Sequence, residues 1–389
     1  MGRRGRRQSC ASTGVLTTAR EALENRWARR LVYEPRLGSM VTAKGGQREP
    51  YHRWMAYCQG FSPDLVRLFL RQADGLQRRR ADPPLLDPFS GSGTLVVECA
   101  RRGVRALGVE AMPSLVFLTS VAGARDVPPL PDLRGVTTWE QAAERLELAV
   151  HRAALIYAVG ARHTSAGRLN ANAPALLDVL DQTVRMMRDD LRKPLPVTNP
   201  VRQGDARKLD GIDAGSIGGI LTSPPYLSRH DYTAILKPYE TVYAYWYESR
   251  SAAQRKLDQI AAHPAALTRR TPADTLPEAA EEVCTSLTAR DERKLTALVR
   301  AYIADLCEVL AQCSRTLRPG APCWIVIGGT RLKRVYVPAD LILAELASSF
   351  GLTVVRVRFA RRLNDAGRKL GYLRSVAPRE SVLELQKKG

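Results

Sequence analysis

Asp87-Pro-Phe-Ser-Gly-Ser-Gly-Thr94 decides the fold. Pro83-Pro84-Leu85-Leu86 leads into it as the end of a short apolar strand, and Thr94 to Arg102 leaves it as a helix that stops at Gly103. A chain turning from a buried strand into a helix this abruptly needs positions without a Cβ, and Gly91 and Gly93 supply them. The helix start then presents unpaired backbone N–H groups. Two common ligands of such a turn are excluded. A triphosphate loop needs Lys after its last glycine, where this chain has Thr94 and Leu95. A dinucleotide loop needs a third glycine soon after the second, and Thr94-Leu-Val96 has none.

Strand-like runs recur on both sides of this turn. They are Arg105–Glu110, Val197–Asp205 (interrupted by Pro200), Ile217–Ser223, Cys323–Gly328, Leu352–Phe359 and Ser381–Leu385, with helical stretches between them. The pattern predicts an α/β fold: a Rossmann-like, seven-stranded, mostly parallel doubly wound sheet with helical insertions. Such sheets bind ligands beyond the carboxyl ends of their strands. Glu110 stands at one such end, 17 residues after Gly93, where an acid accepts hydrogen bonds from ribose hydroxyls. Asp205 ends the next strand, where it is placed to accept from an adenine amino group. A nucleoside cofactor without phosphates fits this set, and S-adenosylmethionine is the obvious candidate.

Thr222-Ser-Pro-Pro-Tyr226 follows a buried strand in the same way. Two prolines stiffen the backbone and remove two N–H donors, which leaves carbonyl oxygens to act as acceptors. An exocyclic amine on cytosine or adenine is a poor nucleophile because its lone pair is conjugated with the ring. The Ser223 hydroxyl and the Pro224 carbonyl are the acceptors expected to take its two hydrogens and aim the lone pair at a sulfonium methyl. Tyr226 offers a ring on which an extruded base stacks.

With both motifs in place the chain resembles the DNA amino-methyltransferases of the cytosine-N4 and adenine-N6 group. The Ser-Pro-Pro-Tyr form is most similar to the cytosine-N4 members. Pro50-Tyr-His-Arg-Trp54 and Phe61-Ser-Pro-Asp-Leu-Val66 resemble the segment that closes over the methionine end of the cofactor. Leu227-Ser-Arg-His-Asp-Tyr232 and Arg379-Glu-Ser-Val-Leu383 resemble the continuation of the catalytic loop and the closing strand. The resemblance implies that Phe61, Ser62, Phe89, Gly91, Gly93, Glu110 and Asp205 line the cofactor, with Asp87 and Thr94 bounding its glycine turn. It implies that Ser223, Pro224, Pro225 and Tyr226 hold the target base. Double-stranded DNA is the implied partner, and a cognate restriction endonuclease is the kind of protein that accompanies such enzymes. Adenine N6, an RNA amine and a binding protein without catalysis are the alternatives.

Composition agrees with a polyanionic partner. The formal net charge is +20 with a pI near 10.0. Arg outnumbers Lys 49 to 10; a codon-biased source is the bland reading, and a nucleic-acid partner is the favoured one. Arg229, His230, Arg269 and Arg270 are the candidates for contacting nucleic acid. The seven cysteines include no Cys-x-x-Cys pair, so neither a zinc site nor a disulfide framework is expected, and no metal is assigned. A reducing bacterial or phage-type cytoplasm is the expected setting, without membrane association. Residues 1–43 read as a basic arm. Residues 44–125 and 197–389 read as the catalytic domain, 126–196 as a helical insertion, and 248–293 as a polar insertion. Either insertion is a candidate for reading the target.

Overall fold

Apolar residues with period two build the centre of this protein. The computed structural model describes residues 18–55, 59–72, 82–164, 167–247, 251, 254, 259–267, 275–363 and 378–389. The strands are β1 (Leu31–Tyr33), β2 (Leu85–Asp87), β3 (Ala106–Glu110), β4 (Val201–Gln203), β5 (Gly219–Thr222), β6 (Pro322–Gly328), β7 (Thr330–Leu332), β8 (Val335–Val337), β9 (Leu352–Arg362) and β10 (Arg379–Lys387). Eight of them form one sheet in the order β1-β9-β10-β6-β5-β2-β3-β4, and β7 and β8 form a separate hairpin. From β4 to β6 every pairing is parallel. The topology switches between β2 and β5, so the crevice opens at their carboxyl ends. The antiparallel strand β10 lies between β6 and β9.

Each strand sends alternate residues to opposite faces. On β6, Cys323, Ile325 and Ile327 join one buried cluster, which packs against helices Glu278–Thr288, Arg293–Thr316 and Ala339–Ala347. Trp324 and Val326 join the other, packed against helices Pro63–Gln72, Thr94–Arg101 and Ala149–Ala161. The layering is therefore helix, sheet, helix.

All seven expected strands are present. The structure adds β1 at the edge, so the sheet has eight strands. It also changes the reading of residues 1–43 as an arm. From Ala19 onward this stretch carries a capped helix, Ala19–Trp27, and then β1, which pairs in parallel with β9. The basic residues Arg3 to Arg7 lie outside the described residues. Residues 126–196 are an integral layer: helix Ala149–Ala161 is buried against helix Tyr232–Tyr243, and a Cβ at Gly160 would stand 2.2 Å from Tyr239 Cζ. His151 is buried and its Nε2 bonds the Pro128 carbonyl at 2.8 Å, a packing role.

Candidate active site

One cavity of about 720 Å³ opens at the carboxyl ends of β2, β3, β4 and β5. Its wall includes the glycine turn, Glu110, Asp205 and the Ser223–Tyr226 loop, so both sequence motifs face the same space.

The glycine turn is held by local hydrogen bonds. Gly91 and Gly93 have φ of +52° and +80°, a region that favours glycine. The Gly91 N–H donates to Glu110 Oε2 at 2.8 Å and the Met112 N–H to Oε1 at 2.9 Å. Glu110 thus ties the turn to the end of β3. Burial pushes its carboxyl above the usual range, and these N–H donors pull it back. Asp87 Oδ1 accepts from the Phe89 N–H at 3.0 Å and from Thr222 Oγ1 at 2.6 Å. The second bond joins the two motifs across 135 residues. Asp87 is fully buried, and burial raises its pKa to about 7.

Phe61, Asp87, Phe89, Gly91, Thr94, Glu110 and Asp205 all lie on the cavity wall. Gly93 and Ser62 stand behind it. A Cβ at Gly93 would approach Thr119 Cγ2 to 2.4 Å, so Gly93 permits the helix to pack. Ser62 is buried, and its N–H donates to the Met40 carbonyl. Asp205 reaches the wall with its carboxylate already forked by Arg207, at 2.9 Å from Nε and 2.6 Å from Nη2. Arg207 extends to Asp305, whose other oxygen accepts from the Ala261 N–H at 2.6 Å. That bond sets Gln259 and Ile260 into the wall.

Segment Pro50–Trp54 is placed differently from expectation. Asp190 accepts from the Tyr51 N–H, from Arg53 and from Trp54 Nε1, at 2.8 Å for the first and 2.7 Å for the last. These three donors pin the segment to helix Leu176–Leu191. The part of the chain that reaches the cavity there is Gly38–Gly45, together with Gln59 and Gly60.

The Ser223–Tyr226 side of the cavity is held by residues distant in sequence. Ser223, Pro225 and Tyr226 line the cavity, and Pro224 is buried beneath them. The Tyr226 hydroxyl donates to Glu380 Oε1 at 2.9 Å. Burial and the charge of Glu380 push that hydroxyl well above its usual range, so it remains a donor. A Cβ at Gly328 would meet the Tyr226 ring at 2.8 Å, so only glycine lets the ring lie there. The Tyr302 hydroxyl donates to the Pro225 carbonyl at 3.0 Å. Arg229 is exposed at the rim. Burial, and then the charges of Arg229 and His263, push the His230 imidazole below its usual pKa. Arg269 and Arg270 lie outside the described residues. Sequence reasoning missed Gln59, Gln259, Tyr302, Arg361 and Glu380 as parts of the site. Glu380 lay in a stretch resembling the closing strand, and Gln259 in the polar insertion 248–293.

The residues present fit a nucleoside sulfonium. Glu110 accepts backbone N–H bonds from Gly91, Ala111 and Met112, fewer than its two oxygens can take, which leaves acceptor capacity for ribose hydroxyls. Gln59 Oε1 and Ser90 Oγ are buried at the wall with no hydrogen-bond partner among the described residues, which is unusual unless a ligand supplies one. Phe61, Phe89, Met112 and Ile260 supply apolar surface. Among the described residues no cluster is placed to hold a metal ion, and no helix is long and apolar enough to cross a membrane.

Known proteins similar to this chain are methyltransferases. Residues 62–244 match the family model UPF0020, an RMKL-like methyltransferase domain. The Type II methyltransferase M.AvaI of a Nostoc species is 30% identical over 94 residues, 24% of this chain and 19% of that protein. The aligned stretch thus spans about a fifth of that relative's length. The Type II methyltransferase M.BsoBI of Geobacillus stearothermophilus is 20% identical across 88% of this chain and 87% of its own. Solved structures with a similar course include an S-adenosylmethionine-dependent methyltransferase of Methanosarcina mazei. It is 10% identical with a TM-score of 0.34, covering 82% of this chain and 97% of that one. TrmN of Thermus thermophilus is 14% identical with a TM-score of 0.33, covering 88% and 53%. The chain has a mostly parallel, Rossmann-like α/β sheet, and its residues 62–244 are similar to a methyltransferase domain.

Proposed function

We propose that this protein transfers a methyl group from S-adenosylmethionine to the exocyclic N4 of cytosine in double-stranded DNA, after drawing the base out of the helix. The observation that carries the reading is the shared cavity. The cofactor wall and the Ser223–Tyr226 loop face one space, and Thr222 is bonded to Asp87 between them. The cofactor supplies an electrophilic methyl on sulfonium. Glu110 holds the ribose, and the walls around Phe89 and Ile260 enclose the adenine. Pro225's carbonyl already accepts from Tyr302. The Pro224 carbonyl, to which no described residue donates, and the Ser223 hydroxyl are therefore the acceptors for the amine's two hydrogens. Holding both hydrogens turns the nitrogen lone pair out of conjugation and toward the methyl. Extrusion of the base is part of the reading: Tyr226 is only 8% exposed, which favours a base drawn into the cavity over one stacked in the helix. Serine at the head of the loop supports cytosine N4, and similarity to proteins named Type II methyltransferases supports methyl transfer. A cognate endonuclease and an origin in a bacterial or phage cytoplasm belong to the same reading.

The test is product analysis. The protein is incubated with S-adenosylmethionine and unmethylated DNA or RNA, and the nucleosides are identified by mass spectrometry. N4-methyldeoxycytidine is the expected product, and N6-methyldeoxyadenosine would move the assignment to adenine. Binding to DNA is also expected to weaken steeply with salt, as counterion release requires for a chain of +20. An affinity unchanged between low and high salt would remove the electrostatic argument.

A further inference from the structure

Resting on that reading, we infer that Arg361 reads the N3 and O2 edge of the target base and is the residue that selects cytosine. Arg361 and Glu380 are directly opposed across β9 and β10, and both line the cavity beside Ser223 and Tyr226. The Arg361 Nε donates to Glu380 Oε2 at 2.5 Å, while Glu380 Oε1 takes the Tyr226 hydroxyl. One buried carboxylate, 4% exposed, thus fixes the aromatic ring of the catalytic loop and a guanidinium together. Next to this pair the ladder slips: Glu380 faces Arg361, but Ser381 faces Phe359, which leaves Ala360 as the extra residue of a bulge. Bulges of this kind re-aim side chains at the ends of strands.

With Nε committed to Glu380, the two terminal nitrogens of Arg361 remain as a planar donor fork, and no described residue accepts from them. Such a fork needs two adjacent acceptors. Cytosine presents its amine at N4 followed by N3 and O2, both acceptors. Adenine presents N6, then N1, then a C–H. Guanine presents its N2 amine and then an N1–H donor, which faces the guanidinium unfavourably. With Ser223 and Pro224 at the amine, cytosine is the base whose neighbouring edge matches the fork.

The experiment compares wild type with Arg361→Met, Arg361→Lys and Glu380→Gln on duplexes carrying cytosine, 3-deazacytosine or adenine at the target position. Arg361 is 38% exposed, so the methionine variant is expected to fold, which melting and cofactor affinity verify. In the wild type, kcat/KM should fall roughly 10- to 100-fold when N3 is removed from the target. Arg361→Met should lose a similar factor on cytosine, lose no more on 3-deazacytosine, and show a collapsed preference for cytosine over adenine, with cofactor affinity unchanged. Arg361→Lys should recover part of the rate without the preference, and Glu380→Gln should lower both together. The inference is overturned if Arg361→Met keeps its preference for cytosine. It is equally overturned if that variant weakens binding to all DNA alike and reduces the salt dependence, which marks a phosphate contact. A wild type that prefers adenine overturns the inference and leaves methyl transfer standing. A wild type that methylates no base overturns the functional reading itself.

Discussion

The two halves of the cavity are held together in opposite ways. Around the glycine turn of the proposed cofactor side the bonds are short in sequence: Phe89 to Asp87 spans two residues, Met112 to Glu110 two, and Gly91 to Glu110 nineteen. On the target side they are long: Tyr302 to Pro225 spans 77 and Tyr226 to Glu380 spans 154. A local motif therefore holds the glycine turn, whereas the proposed target pocket is complete only once the far end of the sheet has joined it.

Substitutions that break one half and spare the other test this division. The largest effect is expected on the target side. Ser223→Ala and Tyr226→Ala should each lower single-turnover methyl transfer at least about 100-fold while calorimetric affinity for S-adenosylmethionine stays at the wild-type value. Full turnover in either would show that the assigned loop is wrong. Next is Gly93→Ala on the cofactor side. A residue forced to φ of +80° with its Cβ 2.4 Å from Thr119 should cost about 3 kcal/mol in denaturant titration and weaken cofactor binding. Asp87→Asn sharpens the comparison where the halves meet. Its carboxyl titrates at 3.8 when unfolded and about 7 when folded, so the native state holds the extra proton. Wild-type stability should then fall as pH rises through that window, by up to about 1.4 kcal/mol per pH unit. The asparagine variant should lose that slope; an unchanged slope would place the titration elsewhere. The smallest effect is expected from Tyr302→Phe. Removing one hydroxyl from the Pro225 carbonyl should cost about 1 kcal/mol and slow turnover less than tenfold, with cofactor affinity untouched.

The same division decides what the sequence reveals. Seven strands were legible because apolar runs such as Trp324-Ile-Val-Ile327 signal burial on both faces. Strand β1 was not: it has three residues and only its first is half-buried. The β7–β8 hairpin was hidden by its turn, in which Lys333 and Arg334 adopt φ of +46° and +71°. Asn-Gly announces that geometry and Lys-Arg does not. In the site, the glycine turn and the Ser223–Tyr226 loop stood out because their glycines and prolines impose backbone geometry. Glu380 and Arg361 impose none. They read as ordinary strand residues, and only the register of β10 against β9 makes them neighbours. Asp190 was equally silent, although it accepts from Tyr51, Arg53 and Trp54.

The position of β10 has a further consequence for how the molecule assembles. The strand formed from the latest part of the chain lies inside the sheet, with β6 on one side and β9 on the other. Until it inserts, both neighbours have open edges that invite pairing with the wrong chain. As the chain emerges during synthesis, the cofactor turn can close early, since its bonds lie between Asp87 and Met112. Tyr226 waits for Glu380, which arrives with β10. Closing the sheet and completing the pocket around the target base are thus a single folding event.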